Sequence, residues 1–141
     1  MRIHTFFIPK DHPGHDVLYE RTGGAFCADG DAWRDAGVGA DLDYVSGGPN
    51  ICVCQALADM LTGDELDAVL AHEYAHIALG HLDHDREGEV DLFAEMEADL
   101  VSGRITGPAA VWSALVVIGD ALGAGDDRAF AVRLSTLFSQ I

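Results

Sequence analysis

The run Val69-Leu70-Ala71-His72-Glu73-Tyr74-Ala75-His76-Ile77-Ala78-Leu79 sets two imidazoles and a carboxylate inside an otherwise apolar stretch. Just upstream, Thr62-Gly63-Asp64-Glu65 has the form of a capping box, in which Thr62 and Glu65 satisfy each other's backbone N–H groups. Apolar residues at Leu66, Val69, Leu70, Ile77 and Leu79 then predict a helix running to about Gly80. On a helix, residues four apart stand one above the other, so His72 and His76 share a face. Burying these polar groups is costly unless each is satisfied, and one metal ion satisfies them together. The pattern H-E-x-x-H therefore predicts a zinc site with His72 and His76 as ligands. Glu73 is one position on, about 100° round the helix, so it flanks the metal. A carboxylate there can take a proton from a zinc-bound water and pass it to a leaving amine. Three fixed positions in five also arise by chance, the more easily in a chain with seven histidines. The capped helix and the apolar flanks separate this instance from such a coincidence.

A catalytic zinc takes a third protein ligand and keeps one position open. His81, His84, Asp91, Glu95, Glu97 and Asp99 are the candidates downstream. His81 is five residues past His76 and is expected to point away from the first two. His84 falls in an expected loop over 83–90. Asp91 to Ser102 reads as a second helix, anchored by Leu92, Met96, Leu100 and Val101 and stopped by Gly103. The gap from His76 to Glu95 allows a turn and an antiparallel return. Glu95 and Asp99 share a face, whereas Glu97 points roughly opposite. Glu95 is therefore the expected third ligand. Asp99 is placed to take the outer N–H of a ligand histidine and fix its tautomer. Glu97 is expected on a solvated face.

The rest of the chain predicts an α+β domain, with a small sheet from the first half and helices from the second. Residues 1–8 read as a strand, Asp16 to Arg21 as a short helix or strand, and Ala28 to Ala40 as loop. Leu42, Tyr44 and Val45 suggest a strand, and Ile51 to Cys54 another after the turn Gly47-Gly48-Pro49-Asn50. Helices are expected over Gln55 to Leu61, Ala109 to Leu122 and Asp126 to Gln140. With 141 residues and no linker or repeat, a single domain over 1–141 is expected.

Twenty-four acidic residues face eight basic ones, a formal charge of -16. Such a surface repels phosphate, which argues against nucleic acid and anionic lipid as partners. It reads as a solvated acidic shell. Cys27, Cys52 and Cys54 make an odd set, and a C-x-C pair along a strand is too close for a relaxed disulfide. Cys52 and Cys54 read as buried small hydrophobes. The longest apolar run, Ala109 to Ile118, is too short to span a bilayer, and the apolar opening is too short for a signal peptide. A cytoplasmic protein is expected.

The stretch from Asn50 to Gly103 resembles a known family. Ile51-Cys52-Val53-Cys54-Gln55-Ala56-Leu57, then Asp64-Glu65-Leu66-Asp67-Ala68-Val69-Leu70-Ala71-His72-Glu73, His76 and Glu95-Met96-Glu97-Ala98-Asp99 are similar to the gluzincins that include the CAAX-prenyl and heat-shock endopeptidases. Those membrane members carry spanning helices, so this chain is more similar to the soluble minigluzincins. The resemblance implies a zincin-like fold, a zinc ion on His72, His76 and Glu95, and Glu73 as general base and acid. It implies Asp99 in support, and a peptide or protein as substrate. Some soluble members are held latent by their own chain. Ala75 stands where the family usually has Gly. Glu95 to Asp99 also fits the E-x-x-A-D pattern of anti-repressor peptidases of the ImmA/IrrE kind, though the Asp64 to Leu70 run favours the first family.

The expected function is thus zinc-dependent endopeptidase. The alternatives are a regulatory peptidase acting on one protein partner, or a latent or non-catalytic zinc domain whose fourth position is closed by His81, His84 or a cysteine. Cys27 is the candidate thiolate for a latent state. In gluzincins an edge strand near the metal pairs with extended substrate, and Ile51 to Cys54 is the candidate, with an ordinary interior strand the equal alternative. Tyr74 is expected to pack away from the metal. His81, His84, Tyr44 and Arg104 remain candidates for stabilising the oxyanion. Oligomeric state and substrate identity are not legible.

Overall fold

The computed structural model describes residues 3–29, 48–81, 92–123 and 127–141. They form a mixed α+β chain, mostly helical, with one three-stranded sheet. The chain divides into two compact units, Met1–Leu57 and Ala58–Ile141. The expected strand at Leu42, Tyr44 and Val45, most of the 28–40 loop, the loop over 83–90, Trp33, His84 and Asp91 lie outside the described residues.

In the first unit the elements are β1 (His4–Ile8), α1 (His15–Thr22), β2 (Ala25–Asp29) and β3 (Pro49–Cys54). The sheet order is β1-β3-β2, with β1 parallel and β2 antiparallel to β3. Register aligns Phe6, Cys52 and Phe26 across the three strands. Alternation puts Ile8 and Cys54 on that same face, where Leu18 and Tyr19 of α1 cover them. Cys52 and Cys54 are fully buried thiols, as the sequence leads one to expect. Gly24 has φ 106, and a Cβ there would lie 2.8 Å from the Leu57 Cβ, so only glycine fits.

Two expectations are corrected here. A strand forms at Ala25–Asp29 where the sequence shows only a break and then loop. Its alanines and cysteine carry little strand propensity, and pairing with β3 supplies what the residues lack. Ile51 to Cys54 is the centre of the sheet, not an edge. Both of its hydrogen-bonding sides are used by β1 and β2, so it has no free ladder for an extended peptide.

A single turn, α2 (Gln55–Ala58), follows β3. It stops well short of the expected Leu61. The second unit then holds α3 (Gly63–Ala78), α4 (Leu92–Thr106), α5 (Pro108–Ala121) and α6 (Arg128–Phe138). The capping box that opens α3 is formed: Thr62 N–H donates to Glu65 Oε1 at 2.8 Å, and Glu65 N–H to Thr62 Oγ1 at 3.3 Å. Ser113 of α5 donates to the other oxygen of Glu65, which ties the start of α3 to α5. Helix α4 runs through Gly103 and ends only before Gly107, whose φ of 96 turns the chain. A Cβ at Gly103 would make an ordinary contact with the Pro108 Cα at 3.5 Å, so the helix passes this glycine without strain.

The seam between α3 and α4 is built of small buried residues, Ala68, Ala71 and Ala75 on one side and Ala94, Ala98 and Ser102 on the other. Helix spacing follows the size of the side chains at the contact, so this seam draws the two backbones together. Ser102 Oγ donates to the Ala68 carbonyl at 2.7 Å across it. The larger apolar core lies beside the seam, where Val111, Leu115 and Leu137 meet Ala68, with Trp112, Phe130 and Leu134 against them. Among the described residues no helix is long and apolar enough to cross a membrane.

Thr62→Ala removes an N-cap acceptor and is expected to destabilise the protein by about 1 kcal/mol in urea denaturation. Its hydrogen bonds, the one from Ser113 foremost, hold the Glu65 carboxyl below the usual carboxylate range. That stabilisation is present above the ordinary carboxylate pKa and is lost as pH falls through the lowered one. Glu65→Gln should therefore be less stable than wild type at neutral pH, with the gap closing in acid.

Candidate metal centre

His72 and His76 sit one turn apart on α3, and Glu95 and Asp99 one turn apart on α4. Because the seam is narrow, the two pairs meet. The inward nitrogens His72 Nε2 and His76 Nε2 are 3.0 Å apart. Glu95 reaches both, Oε2 to His72 Nε2 at 3.1 Å and Oε1 to His76 Nε2 at 3.2 Å. Together these three side chains form a group that could hold a metal ion. Tetrahedral zinc with ligand bonds of about 2.0–2.1 Å sets its donors about 3.3–3.4 Å apart, so the observed spacing is close to that of a zinc site.

The outer nitrogens are held as well. His72 Nδ1 is 3.0 Å from Asp99 Oδ1. Asp99 is gripped in turn by Arg133 of α6, with Nε to Oδ2 at 2.8 Å and an Nη to Oδ1 at 2.9 Å. That guanidinium also lies 3.5 Å from Glu95 Oε2 and stacks over Phe130 at 5.4 Å. Glu73 is buried beside His72, and its charge is felt at both His72 and Arg133.

The electrostatics favour positive charge at the centre. Burial disfavours a charged His72, but hydrogen bonds to Asp99 and Glu95, with Glu73 nearby, push its pKa up to about 9. Burial would raise the Glu95 carboxyl, yet the two histidines hold it well below the usual range. Asp99 is lowered against its burial by Arg133 and then His72. Arg133 is raised against its burial chiefly by Asp99. Three carboxylates converge on one guanidinium and two imidazoles, an excess of negative charge that a divalent cation would offset.

The structure thus brings together His72, Glu73, His76, Glu95 and Asp99. Glu97 stands apart, with its side chain 59% exposed. Tyr74 does point away from the histidines, but it is 46% exposed and not packed, because the outer face of α3 meets solvent. Arg104 is exposed on α4. Cys27 belongs to β2 in the sheet unit. One residue of the centre, Arg133, and one contact, that of His81 with His76, were not anticipated. Arg133 is a lone cation on the apolar stripe of Phe130, Leu134 and Leu137, and that misplaced charge is a signal the sequence does contain. His81 was expected to point away, but its Nδ1 lies 2.8 Å from His76 Nδ1.

Two imidazoles from one helix and a carboxylate from the next make a donor set suited to a divalent metal ion. Residues 44–109, just under half of the chain, match the model of Peptidase family M48, in accord with a gluzincin-type zinc metallopeptidase of that family. The match spans α3 and α4 with His72, His76 and Glu95, and it stops short of Arg133. It supports a protease acting on peptide or protein. No curated protein and no solved structure matches the chain.

Arg133→Met leaves the buried Asp99 carboxylate without its cation. The expected loss is about 3–5 kcal/mol in chemical denaturation. Asp99→Asn combined with Arg133→Met should lose less than the sum of the two single changes, since the partners act together.

Proposed function

We propose that this protein is a zinc-dependent endopeptidase with a zincin-like helical centre. His72, His76 and Glu95 hold the metal, Glu73 is the general base and acid, and Asp99 orients His72. The convergence of the two inward nitrogens with Glu95 at 3.0–3.2 Å carries this reading. Within it, zinc bound there supplies a Lewis acid that polarises the scissile carbonyl and acidifies water.

The chain's own residues do the rest. Asp99 accepts a hydrogen bond from His72 Nδ1–H, which leaves the Nε2 lone pair facing inward. Arg133 keeps Asp99 ionised and aimed. Glu73, one step round the helix from His72, takes the proton of the attacking water on a carboxylate oxygen and returns it to the leaving amine. His81 turns its Nδ1 to the back of His76 and not to the inward nitrogens. This argues against His81 as the residue that closes the fourth position. Buried thiols at Cys52 and Cys54 suit the cytoplasmic compartment we assign.

Zinc content and casein cleavage test the assignment together. Glu73→Gln should retain zinc and lose about 10²–10⁴-fold in cleavage rate. If it cleaves like wild type, Glu73 is not the base. Glu95→Ala should lose most of its zinc while Glu97→Ala keeps it; the reverse pattern would move the third ligand to Glu97.

A further inference from the structure

His76, a proposed ligand, touches His81 through a contact to which the proposed reaction gives no role. Their Nδ1 atoms are 2.8 Å apart, their rings meet edge to face at 61°, and the residues are 3% and 7% exposed. Two ring nitrogens at that distance bond only if one carries a proton and the other does not. The inward side of His76 decides which. Its Nε2 faces His72 Nε2 and Glu95, so a metal among them takes the Nε2 lone pair. The proton of neutral His76 then sits on Nδ1 and donates outward. His81 Nδ1 accepts it, and the proton of His81 sits on Nε2. That nitrogen faces Glu97 Oε1 at 3.8 Å, an ion-pair distance too long for a hydrogen bond.

We propose that His81 is a positioning residue that fixes the ring orientation and tautomer of His76 through this Nδ1-to-Nδ1 hydrogen bond. The proposal rests on the metal reading of the centre. The backbone makes the contact possible. On a continued helix residue 81 would stand about 140° round from His76. Helix α3 stops at Ala78 instead, and Gly80, at φ 75, turns the chain so that His81 folds back against the ring. A residue with a Cβ is disfavoured at that angle, so the turn and the contact go together.

The two histidine ligands then differ in their support. His72 donates to a carboxylate that is itself clamped by Arg133. His76 donates to a neutral imidazole held in a turn. A carboxylate acceptor makes its imidazole more basic than a neutral acceptor does, so His76 is the less polarised ligand and depends more on being aimed. Glu97, exposed and distant, contributes little to this arrangement.

The test uses the full chain with His81→Phe, which keeps a flat ring and removes the acceptor, and His81→Asn, which returns an acceptor near the Nδ1 position. Zinc affinity is read by chelator competition, and ligand geometry by the visible bands of the cobalt-loaded protein. His81→Phe should bind zinc about 10–100-fold more weakly, with altered cobalt bands, and His81→Asn should recover most of both. If the Phe variant matches wild type in affinity and spectrum, or binds better than the Asn variant, His81 only packs and the proposal falls. Nitrogen-15 spectra of zinc-loaded wild type give the same answer without a variant. They should show His76 protonated on Nδ1 and His81 on Nε2; a proton on His81 Nδ1 overturns the proposal. A wild type that binds neither zinc nor cobalt overturns the metal reading, and the role of His81 with it. Metal binding with the wrong tautomer removes the role of His81 alone.

Discussion

The narrow seam between α3 and α4 is the constraint on which the helical unit depends. Alanines at 68, 71, 75, 94 and 98 and Ser102 contribute little apolar area each. What they contribute is proximity. With larger side chains at those positions the helix axes would sit farther apart, and hydrogen bonds that now close at 3.0–3.2 Å would open. The bulk of hydrophobic burial is displaced to the neighbouring cluster around Val111, Leu115 and Leu137. Separate surfaces thus share the work: one sets the spacing of polar groups, and the other stabilises the assembly.

Proximity alone would gather too much negative charge. Glu73, Glu95 and Asp99 are all buried or nearly so, and carboxylates in low dielectric need partners. Arg133 meets this need from outside the α3–α4 pair, gripping Asp99 with two hydrogen bonds and approaching Glu95. The raised His72 and lowered Glu95 and Asp99 share one origin. The centre is arranged to surround a cation, whether a proton on His72 or a metal between the three side chains.

Legibility in the sequence followed the range of the interaction. The relation of His72 to His76, and of Glu95 to Asp99, is fixed by helix geometry over four residues, and the capping box by three. These could be read directly, as could the mixed α+β class and the presence of the four helices of the second unit, though the second was expected to stop at Gly103 and runs on to Thr106. Contacts set by tertiary docking could not. Arg133 meets Asp99 only because α6 packs against α4. His81 meets His76 only because Gly80 reverses the chain where a helical projection sends residue 81 elsewhere. Ala25–Asp29 is a strand because β3 pairs with it, not because its residues favour one. The sequence left β3 open between edge and interior for the same reason: edge or centre is a property of neighbours.

The grip of Arg133 on Asp99 reaches beyond the charge it balances. Helix α6 offers no donor to the proposed metal, yet its detachment would strand a buried carboxylate and free the ring of His72. Local opening of α6 and release of a metal ion would therefore draw on the same free energy. Occupancy of a site made by two helices would slow amide hydrogen exchange in a third, binding all three into one cooperative unit.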